Sequence, residues 1–172
     1  MPAPEEEIVQ TVMQTAYIGF GSNLGDSLSM LETVKKEINA SKDFVLKRTS
    51  PIYRTQPIDV PDQQDDYINA VFEIETSREP EDILNQLAAI EDRHGRIRGK
   101  IRNSARTLDL DLLLVGNHSV QSEILTLPHP RIHQRAFVLF PLYDLSPDLL
   151  VPGQGRVEKL LEKVRDQEMQ RL

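Results

Sequence analysis

The sequence predicts an α+β sandwich in a single domain, and three observations carry that prediction. Two stretches repeat apolar residues at helical spacing, and four others read as strands. Glycine and proline punctuate the chain between them. Their order, strand, helix, strand, strand, helix, strand, is that of the split βαβ unit, so a ferredoxin-like βαββαβ sandwich is expected, with an extra C-terminal hairpin and helices. A chain of 172 residues is long enough to bury one real core. Residues 1 to 14 read as a polar N-terminal extension, and residues 15 to 172 as the domain.

Ala16 to Gly21 reads as a buried strand that runs into a turn at Gly21-Ser22-Asn23. Leu24, Leu28, Leu31, Val34 and Ile38 then mark one helix face, with Asp26 or Ser27 near its start. Phe44 to Thr49 is a strand, after which Pro51, Pro57 and Pro61 break the chain into a long loop. Ile68, Ala70, Phe72 and Ile74 alternate with Tyr67, Asn69, Val71 and Glu73, the pattern of a half-buried strand. Pro80 opens a second helix that turns Ile83, Leu84, Leu87 and Ile90 inward and ends near Gly95. Leu108 to Val115 is the fourth strand. A short extended region (His118 to Leu127), a Pro-His-Pro corner, a helix from about Arg135 to Leu145 and a final amphipathic helix marked by Val157, Leu160, Leu161 and Val164 complete the chain.

Hydrophobic residues are 39% and charged residues 27% of the chain, an ordinary soluble balance. The absence of cysteine excludes disulfides and thiolate metal sites. No apolar run reaches membrane-spanning length, and the acidic start (Glu5, Glu6, Glu7) lacks the pattern of a signal peptide, so a cytoplasmic setting is expected. A net charge of −7 argues against nucleic-acid binding. Arg93, Arg96, Arg98, Lys100, Arg102 and Arg106 nevertheless crowd one acid-free segment, leaving −13 on the remainder. A basic patch on an acidic protein suits a compact anion.

That patch ends at Arg106-Thr107-Leu108-Asp109-Leu110-Asp111. Residues two apart in a strand share a face, so Asp109 and Asp111 lie side by side while Leu108, Leu110 and Leu112 face the core. Paired carboxylates repel, and magnesium typically combines one or two carboxylates with substrate phosphates. An exposed acidic strand edge is the alternative for the pair, and a solvated loop the alternative for the arginines. A magnesium-bound polyphosphate accounts for both signs in one place. Gly19 to Gly25 lacks the Lys-Ser/Thr of a phosphate loop and reads as a tight turn, from which Asn23 and the glycine backbone can still touch a substrate. His129, between Pro128 and Pro130, is either structural or a phosphate donor beside Arg131 and Arg135. Asn69, Tyr67 and Phe137 offer an amide and two rings for a flat heterocycle, although aromatics more often fill cores.

Gly21-Ser22-Asn23-Leu24-Gly25, Tyr53-Arg54-Thr55, Tyr67-Ile68-Asn69-Ala70, Arg106 to Asp111 and Pro128-His129-Pro130 occur in an order that resembles the 6-hydroxymethyl-7,8-dihydropterin pyrophosphokinase family over roughly residues 16 to 165. The resemblance implies transfer of pyrophosphate from ATP to the hydroxymethyl group of the dihydropterin, giving AMP, in folate biosynthesis. It implies two magnesium ions bridged by Asp109 and Asp111, with Arg96 and Arg106 neutralising the transferred group. ATP would be held by Glu91, Arg96, Arg98, Arg102, Asp111, the Leu112 backbone, Thr126, His129, Pro130 and Arg135. The pterin would meet Gly21, Asn23, Thr55, Gln56, Ile58, Tyr67, Asn69 and Phe137. Small-molecule substrates, no nucleic acid, no membrane and a monomeric state are expected. Three departures stand out: Asn103-Ser104-Ala105 where Trp-Gly-Pro is frequent, Thr55-Gln56-Pro57 for Thr-Pro-Pro, and Pro130 where an aromatic is common. A simple kinase or nucleotidyltransferase and a nucleotide-sensing module are the competing readings. AMP as product separates them from pyrophosphoryl transfer.

Overall fold

The computed structural model describes residues 12–57, 59–95, 105 and 107–172. Along the chain lie β1 (Gln14–Ser22), α1 (Ser27–Ala40), β2 (Val45–Thr49), β3 (Tyr53–Thr55), β4 (Tyr67–Thr76), α2 (Pro80–Arg93) and β5 (Asp109–Val115). They are followed by β6 (Val120–Gln121), β7 (Thr126–Leu127), a 3₁₀ turn at Ile132–Gln134, α3 (Ala136–Leu145), β8 (Leu150–Val151), β9 (Gly155–Arg156), α4 (Val157–Leu161) and β10 (Gln170–Arg171). The fold is α+β, with one antiparallel main sheet. β4 and β1 are central and β5 pairs with the far side of β1. β2 and β3 share the other flank of β4, one after the other, and β10 adds outside β3.

Strand alternation gives the sheet two apolar faces. On one, Ile18, Phe20, Phe72, Ile74, Leu110 and Leu112 pack under Leu31, Val34 and Ile38 of α1 and Ile83, Leu87 and Ile90 of α2. On the other, Tyr17, Val71 and Leu113 meet Val138, Leu139 and Leu142 of α3, with Leu160, Leu161 and Val164 behind. The second layer corrects one expectation: β4 is buried on both faces, because the largely apolar α3 covers the side expected to be wet.

Other boundaries also differ from expectation. Asp26 caps α1, its carboxylate accepting the Ser29 N–H at 3.1 Å. The chain turns before that cap, at Gly25 (φ 77°), so Leu24 and Leu28 sit off the apolar face and are half exposed. β1 begins at Gln14, opposite Thr76, two residues earlier than expected and inside the anticipated polar extension. The last helix spans only five residues, because the chain then turns back to place its end beside β3.

The proline-rich loop also hides a strand. Pro51 interrupts the ladder between β2 and β3, and Ser50 bridges the gap. Its N–H donates to the Val71 carbonyl at 2.9 Å, and its Oγ accepts the Val71 N–H at 2.8 Å. Ser50→Ala leaves that buried N–H without its partner and is expected to cost about 1–3 kcal/mol, read by urea unfolding.

Candidate active site

α3 covers only one end of the second sheet face. At the other end β1 presents Gly19 and Gly21, which carry no side chain to fill the space. Gly21 lies between Asn69 on β4 and Asp109 on β5, and Gly19 lies between Val71 and Asp111. The two glycines form the floor of a cavity of about 690 Å³. Asp109 and Asp111 make one wall, Tyr67 and Asn69 another, and Thr55, Gln56 and Pro57 extend it past β3. Arg135 and Phe137 enter from the start of α3, and Asp166 to Met169 close the rim.

Charge and hydrogen bonds arrange these groups. Arg135 Nη1 lies 3.6 Å from Asp111 Oδ2, and its guanidinium carbon sits 5.4 Å from the centre of the Phe137 ring. One cation therefore couples the acidic wall to the aromatic one. Asn69 Nδ2 donates to Thr55 Oγ1 at 2.9 Å, which fixes its amide across the β3–β4 pair. Asp109 and Asp111 suit a hard cation: two oxygen-donor side chains share a strand face, with only glycine opposite. Among the described residues no cluster of three or more metal-ligating side chains occurs, so phosphate or water oxygens would complete any coordination shell.

Of the residues singled out from sequence, Gly21, Thr55, Gln56, Tyr67, Asn69, Asp109, Asp111, Arg135 and Phe137 line this one cavity. Asn23 does not. It is buried and donates to Gln64 Oε1 (2.9 Å) and the Asp65 carbonyl (3.2 Å), so its amide ties down the loop before β4. Glu91 is also buried, and its Oε2 accepts the Leu110 N–H at 3.3 Å, steadying β5 from the helix side. The Leu112 side chain lies in the core, and Thr126, His129 and Pro130 do not line the cavity. Ile58, Arg96, Arg98, Arg102 and Arg106 lie outside the described residues, as do Asn103 and Ser104. Sequence reasoning had Gly19 only as part of the Gly19 to Gly25 turn and did not single out Val60 or Asp166 to Met169, all of which line the cavity. Gly19 had a signal, since Gly-Phe-Gly repeats at the spacing of Asp-Leu-Asp; the C-terminal residues had none.

His129 is held close to β5 by its N–H, which donates to the Leu113 carbonyl at 2.9 Å. Burial pushes its imidazole down to about 4, helped by the Arg135 charge and opposed by Asp109. Its Nδ1 accepts the Arg131 N–H at 3.1 Å, so the neutral ring carries its proton on Nε2 and is a donor rather than a cation near pH 7. Unfolded histidine titrates near 6.5. The folded group lies lower, so its contribution is complete above about pH 6.5 and is lost as pH falls toward 4. With partial solvent screening this amounts to about 1–2 kcal/mol. His129→Gln is expected to lose correspondingly less stability than wild type between pH 7 and 4.5 in urea titrations.

An acid pair, a bridging arginine and an amide beside aromatic rings share one cavity, a lining suited chemically to anionic and flat heterocyclic groups. Known proteins identify the family. The family model described as 7,8-dihydro-6-hydroxymethylpterin-pyrophosphokinase (HPPK) matches residues 17–147, and the chain belongs to that family. It is 41% identical over 160 residues to the 2-amino-4-hydroxy-6-hydroxymethyldihydropteridine pyrophosphokinase of Haemophilus influenzae, covering 93% of this chain and 99% of that protein. The protein of the same name from Pseudomonas aeruginosa is 36% identical over 150 residues, covering 87% and 91%. A crystal structure of an HPPK-DHPS in complex with substrates superposes with a TM-score of 0.72 at 12% identity, a likeness of fold. It covers 93% of this chain, which spans 46% of that longer one.

Proposed function

We propose that the chain transfers the pyrophosphoryl group of ATP to the hydroxymethyl oxygen of 6-hydroxymethyl-7,8-dihydropterin, a step of folate biosynthesis. In this reaction the hydroxyl oxygen attacks the β-phosphorus of ATP and loses its proton. The bond from the β-phosphorus to the α–β bridging oxygen breaks, and AMP leaves. The observation that carries the reading is that Asp109 and Asp111 open onto the same cavity as Tyr67, Asn69 and Phe137. Both substrates must meet in one space for such a transfer.

The roles of the residues follow from their chemistry. Phe137 and Tyr67 take the faces of the pterin, and the Asn69 amide reads its polar edge, held in register by Thr55. Gln56 stands at the same wall. Arg135 approaches the phosphates from the Asp111 side, and the His129 Nε2–H donates from the flank. Asp109 and Asp111 would hold two magnesium ions, which when bound neutralise and polarise phosphate oxygens. Arg96 and Arg106, with Arg98 and Arg102, supply the remaining positive charge in this reading. Glu91, the Leu112 backbone, Thr126 and Pro130 lie on the adenosine side, Glu91 by supporting β5. The long strands, ordered β2-β4-β1-β5 with α1 and α2 on one face, fit the ferredoxin-like sandwich, extended here by the β6–β7 hairpin, α3 and α4. A cytoplasmic monomer acting on small molecules completes the proposal.

The test is the product. Incubation with ATP, magnesium and hydroxymethyldihydropterin is expected to give AMP and the pterin diphosphate. ADP in place of AMP would make the protein a simple kinase, and binding without product would make it a sensor.

A further inference from the structure

The matched family region ends at residue 147, yet Asp166 to Met169 lie on the rim of the cavity. Two anchors hold that segment. The β10 strand pairs with Tyr53 and Arg54 of β3, and the Leu172 N–H donates to the Ile52 carbonyl at 2.8 Å. Arg171 approaches Asp144 of α3 at 3.8 Å, and Asp144 also accepts the Tyr53 hydroxyl. The strap thus joins the edge of the sheet to α3.

Gln167 stands where the strap passes the start of α3. Its Oε1 accepts the Ala136 N–H at 3.0 Å, and its Nε2 donates to the Gln134 carbonyl at 2.9 Å. These backbone groups lie on either side of Arg135, and Ala136 opens the helix. α3 begins without a side-chain cap from its own N-cap residue, Arg135, whose guanidinium has no acceptor to offer an N–H and lies against Asp111 and Phe137. One of the first-turn N–H groups left without a partner inside the helix, that of Ala136, is satisfied from 31 residues further along the chain. One amide therefore fixes the backbone from which Arg135 and Phe137 enter the cavity.

We infer that Gln167 is a positioning residue for pyrophosphoryl transfer, clamping the Gln134–Ala136 backbone so that Arg135 meets the phosphates and Phe137 the flat ring. This rests on the assignment of Arg135 to ATP and Phe137 to the pterin given above. Both hydrogen bonds lie outside the reacting groups, so their loss acts on substrate binding more than on the chemical step.

Gln167→Met keeps the length of the side chain and removes both bonds. It is expected to raise KM for ATP roughly tenfold while kcat stays within about threefold of wild type. Gln167→Glu keeps the acceptor for Ala136 and loses the donor to Gln134, so its KM is expected to fall between the two. In an Arg135→Ala background, Gln167→Met is expected to add little, because the clamp has lost the group it positions. A Gln167→Met enzyme with lower Tm and unaltered KM overturns the inference in favour of a structural tie. Fully additive effects in the double variant overturn it too. An Arg135→Ala enzyme with unaltered KM for ATP overturns the assignment of Arg135 itself, and the clamp with it.

Discussion

Asp109→Ala and Asp111→Ala are each expected to lower kcat by about a thousandfold or more while the protein stays folded. Both side chains stand on the cavity face of β5, and their strand neighbours Leu110 and Leu112 bear the packing on the other face. Removing either carboxylate takes nothing from the core. It also relieves the repulsion between the two acids, although Asp111→Ala leaves Arg135 without one counter-charge at 3.6 Å. That pair is partly solvated, so its loss is worth at most about 1 kcal/mol and Tm is expected to move by only a few degrees. The cost falls on the transfer, where charge builds on phosphate oxygens and positioning with neutralisation does nearly all the work. Asn at either position keeps the shape and one acceptor oxygen but loses the charge, and it is expected to fare little better. Turnover measured by AMP release, with magnesium-dependent ATP binding followed by calorimetry, separates chemistry from affinity. Wild-type turnover in either variant would refute the assignment of the acid pair.

The same alternation that made the pair legible explains which parts of the fold could be read in advance. Long periodic elements declared themselves: α1 by Leu31, Val34 and Ile38, α2 by Pro80 and Ile83 to Ile90, and β4 by its ten-residue run. Local chemistry set the Asp26 cap. What stayed hidden depends on partners distant in sequence. β3 is three residues among prolines and exists because β4 supplies an edge. β10 is two residues whose partner lies more than a hundred positions away. The second burial of β4 could not be read from β4 alone, since Val71 and Asn69 look like an outer face until α3 is docked. The site divides likewise. Asp109, Asp111, Tyr67 and Asn69 are strand residues whose facing follows from period two, and all four line the one cavity. Asn23 and Glu91 do not line the cavity, because hydrogen bonds to Gln64, Asp65 and Leu110 engage their side chains, and no spacing rule reveals such partners.

Gly21→Val is expected to separate activity from stability without the loss of any charged group. Gly21 is a strand residue whose φ lies outside the left-handed region, so nothing in its backbone requires glycine. A β-carbon there would meet only Asn69 Oδ1, at 3.8 Å, an ordinary contact. Strand interiors favour branched side chains over glycine, which gains conformational freedom on unfolding. The variant is therefore expected to be as stable as wild type, or more stable by about 0.5–1 kcal/mol. Its isopropyl group, however, would rise from the cavity floor between Asn69 and Asp109, where the flat ring and the phosphates must approach each other. A misplacement of about 1 Å costs a transfer reaction on the order of a hundredfold, so kcat/KM is expected to fall by at least that much. Gly19→Ala should be milder, because its β-carbon would rest against Leu113 at 3.5 Å, lower on the same floor and next to Asp111. A thermal scan beside steady-state kinetics decides the matter. If Gly21→Val retained wild-type kcat/KM, the substrates would have to cross some other part of the sheet, and the glycine floor would be no more than a strand without side chains.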